Sequence, residues 1–336
     1  MASFAQFGND LHSGKKSFNI VGKRKLWYLI SLIAIVISII VPIAKGGFNL
    51  GIEFRGGSEF RVSSLADSNA AMPKAEDTVN KTVSGINPIV TTVGNNALLI
   101  ETDQLKDTQA QQLRGTLAQN LSVPSNKVTS SFVGPSWGAD VTRSALIALA
   151  VFLAIVSLVM ALYFRTWKMS LAALVALFHD LIITAGIYAV SNFEVTPATV
   201  IGFLTILGYS MYDTVVVFDK IRENTANFAD QKKRTFGELV NLAVNQTLIR
   251  SINTSIVAVL PVASILFIGA FMLGAGTLKD LSLALFIGIL VGTYSTIFIA
   301  SPFYAHLRER DNKVAEHDKA VLASRDTDTE TDEKVN

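Results

Sequence analysis

Six apolar runs, each near the ~20 residues a helix needs to cross a bilayer, constrain this chain more than any other feature. They are Leu26–Ala44, Ser144–Phe164, Leu171–Val190, Pro197–Phe218, Ile252–Phe271 and Leu281–Phe303. Hydrocarbon offers no partner for backbone N–H and C=O groups, so runs of this length are read as spanning helices. Composition agrees: 50% of the 336 residues are hydrophobic, 17% are charged and the mean hydropathy is +0.41, which argues against an ordinary soluble domain. The first run follows Lys23, Arg24 and Lys25 as a signal peptide would, yet it outlasts an h-region of about 7–15 residues. Val41-Pro-Ile-Ala-Lys45 provides no A-x-A cleavage site, so a retained helix is expected.

Basic residues orient the spans. Lys15, Lys16, Lys23, Arg24 and Lys25 precede the first run, and Arg165 and Lys168 lie between the second and third. Lys220, Arg222, Lys232, Lys233, Arg234 and Arg250 lie between the fourth run and the fifth, with Lys232-Lys-Arg234 read as a topology anchor. Arg308, Arg310, Lys313, Lys319, Arg325 and Lys334 follow the sixth. The turn Ser191-Asn-Phe-Glu-Val195 has no base at all, so both termini are predicted to be cytoplasmic. The net charge of +2 therefore reflects topology and does not point to nucleic acid as a partner.

With six crossings, residues 45–143 must be extracytoplasmic. Ser58–Ser63 alternates as a strand, Ala70–Val83 has helical spacing, and Pro88–Val93 pairs with Ala97–Glu101 across Gly94-Asn-Asn96. Gln104–Asn120 is helical and Lys127–Val133 is a last strand. The order β-α-β-β-α-β predicts a small ferredoxin-like α+β domain. The expected organisation is a tail over 1–25, a helix over 26–44, the outer domain over 45–143, five helices over 144–303 and a tail over 304–336. That last tail is polar and charged and ends in the run Asp326–Glu333, so its composition predicts disorder.

Chemistry is sparse. There is no cysteine and no Walker-type phosphate loop, and the outer domain lacks the His/Cys/Asp clusters of a catalyst, so no enzyme, cofactor or metal is expected. Instead, polar residues recur inside the spans. Thr205, Tyr209 and Asp213 lie at i, i+4 and i+8 of the fourth, Gln246, Arg250 and Thr254 do so around the start of the fifth, and Asp180, Thr184 and Tyr188 form a stripe on the third beside His179. An intramembrane acid is costly and marks a functional site by default. A desolvated carboxyl holds its proton, whereas an approaching guanidinium expels it, so Asp213 and Arg250 are expected to pair and relay protons. Each proton crossing supplies about 2.3 kcal/mol per 100 mV. Structural alternatives stay open at this point: Asp213 as a hydrogen-bonding residue between helices, Arg250 as a cytoplasmic flank, His179 and Asp180 as a neutral polar contact. Gly288-Ile-Leu-Val-Gly292 predicts close helix packing.

The segment Leu204-Thr-Ile-Leu-Gly-Tyr-Ser-Met-Tyr-Asp-Thr-Val-Val-Val-Phe-Asp-Lys-Ile-Arg-Glu-Asn224 resembles the fourth-helix signature of SecF, a family of protein-export membrane subunits related to resistance-nodulation-division transporters. Gly51-Ile-Glu-Phe-Arg-Gly-Gly57, Val133-Gly-Pro-Ser-Trp-Gly138 and Gly292-Thr-Tyr-Ser-Thr-Ile-Phe-Ile-Ala-Ser-Pro302 resemble three further motifs of that family. The resemblance spans about residues 20 to 305. It implies partnership with SecD and the SecYEG channel, contact with a translocating preprotein, and a place near YajC or YidC. It further implies proton flow that moves the outer domains, with Asp213 and Arg250 matching the family's membrane acid and arginine. Gly51, Phe54, Gly56, Gly57, Gly134 and Pro135 match its structural motif positions. Tyr212 stands where the family commonly has Asn, Glu53 where Asp is usual and Arg55 where Thr is usual; the last two are expected to alter contacts at the base of the outer domain. Two other classes stay open: a proton-coupled exporter of small molecules or lipids, and a passive scaffold for the translocon.

Overall fold

The structure, a computed structural model, describes residues 4–335 except 87, 165 and 273–275, and describes no side chain at 4, 5, 135, 270–272, 276, 277 or 326–335. Six helices are long and apolar enough to span a membrane. They are α2 (Arg24–Lys45), α6 (Pro135–Phe164), α7 (Trp167–Ser191), α8 (Pro197–Thr225), α9 (Phe236–Ser264) and α10 (Gly276–Ser295). The last two continue as π-helical turns, Ile265–Met272 and Thr296–Ala300, and the second of these leads into α11 (Ser301–Arg308). Rows of exposed Leu, Ile and Val, such as Leu146, Ile155, Leu158 and Leu162 on α6, form the outer apolar surface that hydrocarbon would cover. The inner face of the bundle packs Met160, Met169, Leu207, Phe218, Val240 and Val244 into one core.

The fifth helix starts at Phe236, well before the apolar run that announced it. Thr235 caps it, accepting from the Glu238 amide while Glu238 accepts from the Thr235 amide, so the helix nucleates in the polar segment between the fourth and fifth apolar runs. Apolarity marks only the part within hydrocarbon, whereas the cap marks the helix. For the same reason the sixth helix runs on to Arg308, and α6 reaches back to Pro135, inside the stretch assigned to the outer domain.

Between α2 and α6 lies the α+β domain. A short helix α3 (Ile52–Arg55) precedes β1 (Gly57–Val62), α4 (Ser68–Thr82), β2 (Ile89–Val93), β3 (Ala97–Thr102), α5 (Asp107–Asn120) and β4 (Val128–Val133). The sheet is antiparallel in the order β2-β3-β1-β4, as a split βαβ unit requires. Phe60, the centre of β1, sits opposite Ile100 and Ser130, and its ring is fully buried with Val62, Leu98 and Val128 against Val79 of α4 and Leu113 and Leu117 of α5. Only one face of the sheet is covered by helices. Gly57 has φ +144° and a Cβ there would lie 2.4 Å from the Thr102 carbonyl oxygen, so this position requires glycine.

Two motifs far apart in sequence meet at the domain's base. A Cβ on Gly138, at the start of α6, would strike the Phe54 carbonyl at 2.5 Å, so α3 and α6 pack backbone to backbone. Gly134 immediately precedes α6; the side chain of Pro135 lies outside the described residues.

Helices from both tails close the end of the bundle opposite the α+β domain. The side chain of Leu11 on α1 (Phe4–His12) is buried, and Asn245 and Asn241 of α9 accept from the amides of Phe18, Ile20 and Val21. The tail expected to be disordered continues as α12 (Asn312–Val335). Val314 and Val321, seven residues apart on one helix face, are both buried, and Asp318 accepts from the Phe236 amide. Composition alone missed these anchors because two valines and one cap are too few to register. The acidic side chains from Asp326 onward lie outside the described residues.

Candidate functional site: carboxylates inside the helical bundle

Asp213 stands on the buried face of α8, in the polar layer where α8, α9 and α10 meet. Ser251 Oγ donates to its Oδ1 at 2.8 Å. Its other oxygen, Oδ2, is buried without a partner among the described residues. A buried carboxylate oxygen left unpaired costs free energy, so such a group is held in place by the surrounding fold.

Arg250 is one residue from Ser251, and about 100° of helix turn separates them. Ser251 therefore faces the core while Arg250 lies on the exposed side of α9, and no ion pair joins it to Asp213 among the described residues. Its neighbour on the same stripe, Thr254, donates to the Arg250 carbonyl, and Thr205 on α8 donates to Ile201 of its own helix. The inward stripe of α9 is offset by one residue from the one the sequence suggested. It carries Ser251 and Ser255, with Ser255 linked to Tyr209 Oη at 3.5 Å and to Thr293 at 2.5 Å. Tyr209 thus belongs to this layer, whereas Thr205, Arg250 and Thr254 stand outside it.

A second carboxylate is more deeply buried. Asp180 of α7 is fully enclosed; Ser210 of α8 donates to its Oδ2 at 2.5 Å, and His179 Nδ1 lies 3.2 Å from its Oδ1. His179 Nε2 has no partner, and the ring stacks on Tyr294 with centroids 6.0 Å apart. Tyr294 Oη lies 3.3 Å from Ser31 Oγ of α2, which extends the polar chain to the first helix. Ser210 and Asp213 are three residues apart on α8, so one helix presents Asp213 and the partner of Asp180 within a single turn.

Glycine makes this closeness feasible. A Cβ on Gly292 would lie 2.9 Å from Ser210 Cβ and 3.6 Å from Asp180 Oδ2, and one on Gly288 would strike Ile206 at 2.4 Å. The Gly288–Gly292 spacing thus brings α10 against α8, the close approach that small residues permit. Immediately beyond, Thr214 and Thr296 exchange a hydrogen bond at 2.9 Å where α10 gives way to its π turn, a distortion common at functional sites. Ser210, Ser251 and Thr296 were not singled out from sequence; Ser210 three residues before Asp213, and Ser251 four before Ser255, would have been the signal.

The fold and site define a multi-pass membrane protein with a ferredoxin-like α+β domain between its first two spans and acids buried among its helices. The chain belongs to the SecD/SecF family of protein export membrane proteins: the family described as SecD/SecF, C-terminal, matches residues 113–310, and the SecD/SecF GG motif matches residues 43–64. It is 44% identical over 325 residues to the protein translocase subunit SecF of Streptomyces coelicolor, covering 97% of this chain and 86% of that one. It is 41% identical over 331 residues to the SecF subunit of Mycobacterium tuberculosis, covering 96% and 74%. Among solved structures it is similar to SecDF, a translocon-associated membrane protein from Thermus thermophilus, with a TM-score of 0.76 and 32% identity. That match covers 88% of this chain and 39% of the SecDF chain, so this chain corresponds to less than half of the fused protein.

Proposed function

We propose that this chain works with a SecD partner beside the Sec channel and uses inward proton flow to move its outer domain and promote outward release of preproteins. The partial coverage of SecDF supports the partnership, since a relative carries both halves in one chain. The observation that carries the reading is the unpaired, buried Oδ2 of Asp213, a carboxyl oxygen ready for a proton and linked through Ser251 to the helix that bears Arg250. A guanidinium on an outward face within an apolar helix is costly against lipid, which supports a partner helix or a water path beside it. Rotation of α9 by one residue would exchange Ser251 for Arg250 at the carboxyl and drive the proton off.

Both termini are taken as cytoplasmic and the outer domain as extracytoplasmic, a reading supported by the base-free turn before α8. His179 and Asp180 are assigned to the same proton path, with Ser210 beside Asp213 as the bridge. The cavity between the outer domain and the membrane is lined by charged and polar groups, which favours protein export over export of apolar small molecules.

The test is preprotein release from sealed vesicles containing the full complex. Asp213→Asn is expected to lose the stimulation by a proton gradient while the complex still assembles. Release by this variant that still responds fully to the gradient would leave the chain a passive scaffold.

A further inference from the structure

At the junction of the outer domain and the membrane, five acids that the relay does not use surround a cavity of about 320 Å³. Its roof is the uncovered face of the sheet, with Glu101 of β3 and Glu59 and Arg61 of β1; Glu53 of α3 forms one wall. Its floor is Glu194, in the turn between α7 and α8, with Lys279 and Asp280 of α10. Glu101 and Glu194 line the same cavity and approach each other carboxyl to carboxyl, and two such groups can bond only when one of them carries a proton. Arg55 pairs with Glu101 at 2.8 Å from the domain side, so the proton belongs on Glu194. Glu53 Oε2 is buried without a partner, and a Cβ on Gly51 would strike it at 2.6 Å and Glu194 Oε1 at 2.8 Å. Glycine at 51 is therefore what lets these two carboxyls converge.

The connection beside this cavity has the features of a hinge. Gly46 and Gly47, after α2, both have positive φ, and the next residues are tied to the same turn that bears Glu194: the Val195 amide donates to the Asn49 carbonyl and the Gly51 amide to the Val195 carbonyl. Two glycines free of side-chain restraint thus stand next to the place where the domain's acids meet those of the membrane helices.

We infer that the Glu101–Glu194 contact is a proton-dependent latch, which closes the outer domain on the membrane surface when Glu194 takes up a proton from the outer side and releases the domain when that proton leaves. Burial, then the bond to and charge of Glu101, then the charges of Asp280 and Glu53 push Glu194 up from 4.5 to about 9. Burial and then Glu101 raise Glu53; burial, Glu101 and Glu53 raise Glu59, with Arg61 opposing. Opening the cleft wets Glu194 and returns it toward 4.5. The closed form holds its proton more tightly, so closure is favoured in acid and weakens steadily as pH rises from 4.5 to about 9. Acidity on the outer side therefore favours the closed domain. The latch does not require the relay at Asp213.

Because the chain has no cysteine, Ile43→Cys at the outer end of α2 and Gln112→Cys on α5 give two unique spin-label sites. Distances are measured by pulsed electron paramagnetic resonance on the full chain in lipid nanodiscs between about pH 5 and 10. The expected result is a closed-to-open ratio that falls by up to about tenfold per pH unit across the window. Glu194→Gln, whose amide still bonds Glu101, is expected to stay closed throughout, and Asp213→Asn to follow the parent. A parent distance that does not change with pH, or an unaltered transition in Glu194→Gln, overturns the latch. Loss of the transition in Asp213→Asn also overturns it, because the titrating group would then lie in the membrane.

Discussion

Asp213 is satisfied on one side and bare on the other, and this asymmetry gives Ser251 a measurable role. Ser251→Ala leaves both carboxyl oxygens without a side-chain donor in a buried layer. The unmade bond is expected to cost about 1–3 kcal/mol, read as a lowered unfolding temperature in detergent. A thermal transition equal to that of the parent would show that water replaces the serine. The sequence announced Asp213 because an acid amid apolar residues is conspicuous. It did not announce Ser251, because serine is common in spanning helices and gains meaning only from what it faces. Arg250 illustrates the reverse: its charge drew attention, yet packing turned its neighbour inward. Glu53 and Arg55, read as local adjustments, line or brace the outer cavity, and Glu101 and Glu194 gave no signal because they lie ninety-three positions apart.

Helices in this molecule associate through small residues. Gly292→Ala would place a methyl 2.9 Å from Ser210 Cβ, and overpacking between α8 and α10 is expected to cost about 1–3 kcal/mol and displace the Ser210–Asp180 bond. Gly208→Ala serves as the contrast, since a Cβ there meets nothing within 4 Å, and it is expected to match or exceed the parent in stability by up to about 1 kcal/mol. Fluorescence-monitored unfolding of both variants checks the pair, and equal destabilisation would refute the packing argument. The strands of the outer domain were legible to within a residue or two from alternation and the Gly94-Asn-Asn96 turn. Helix ends were less so: α9 and α10 extend beyond their apolar runs because caps and π turns, not hydropathy, decide where a helix begins and stops.

For the whole molecule, the C-terminal tail is part of the fold. Arg325 pairs with Glu238 at 2.6 Å and Val321 is buried, so α12 rests on the first turns of α9. Val321→Asp is expected to bury an unpaired charge and detach this helix. Limited proteolysis should then cleave after residue 311 at rates at which the parent is protected, while the membrane bundle stays intact; equal protection would mean that α12 docks by other contacts.

Hydropathy and strand alternation act over short windows and survive any packing, so six spans, a split βαβ domain between the first two of them and the acid at 213 could all be read from the residues alone. Tertiary structure alone decided which polar atoms meet. Rotation by a single helical residue moves a side chain by about 100°, and carboxyls distant in the chain converge only once helices and sheet are assembled. That convergence is what separates Ser251 from Arg250 at Asp213, and what places Glu101 against Glu194.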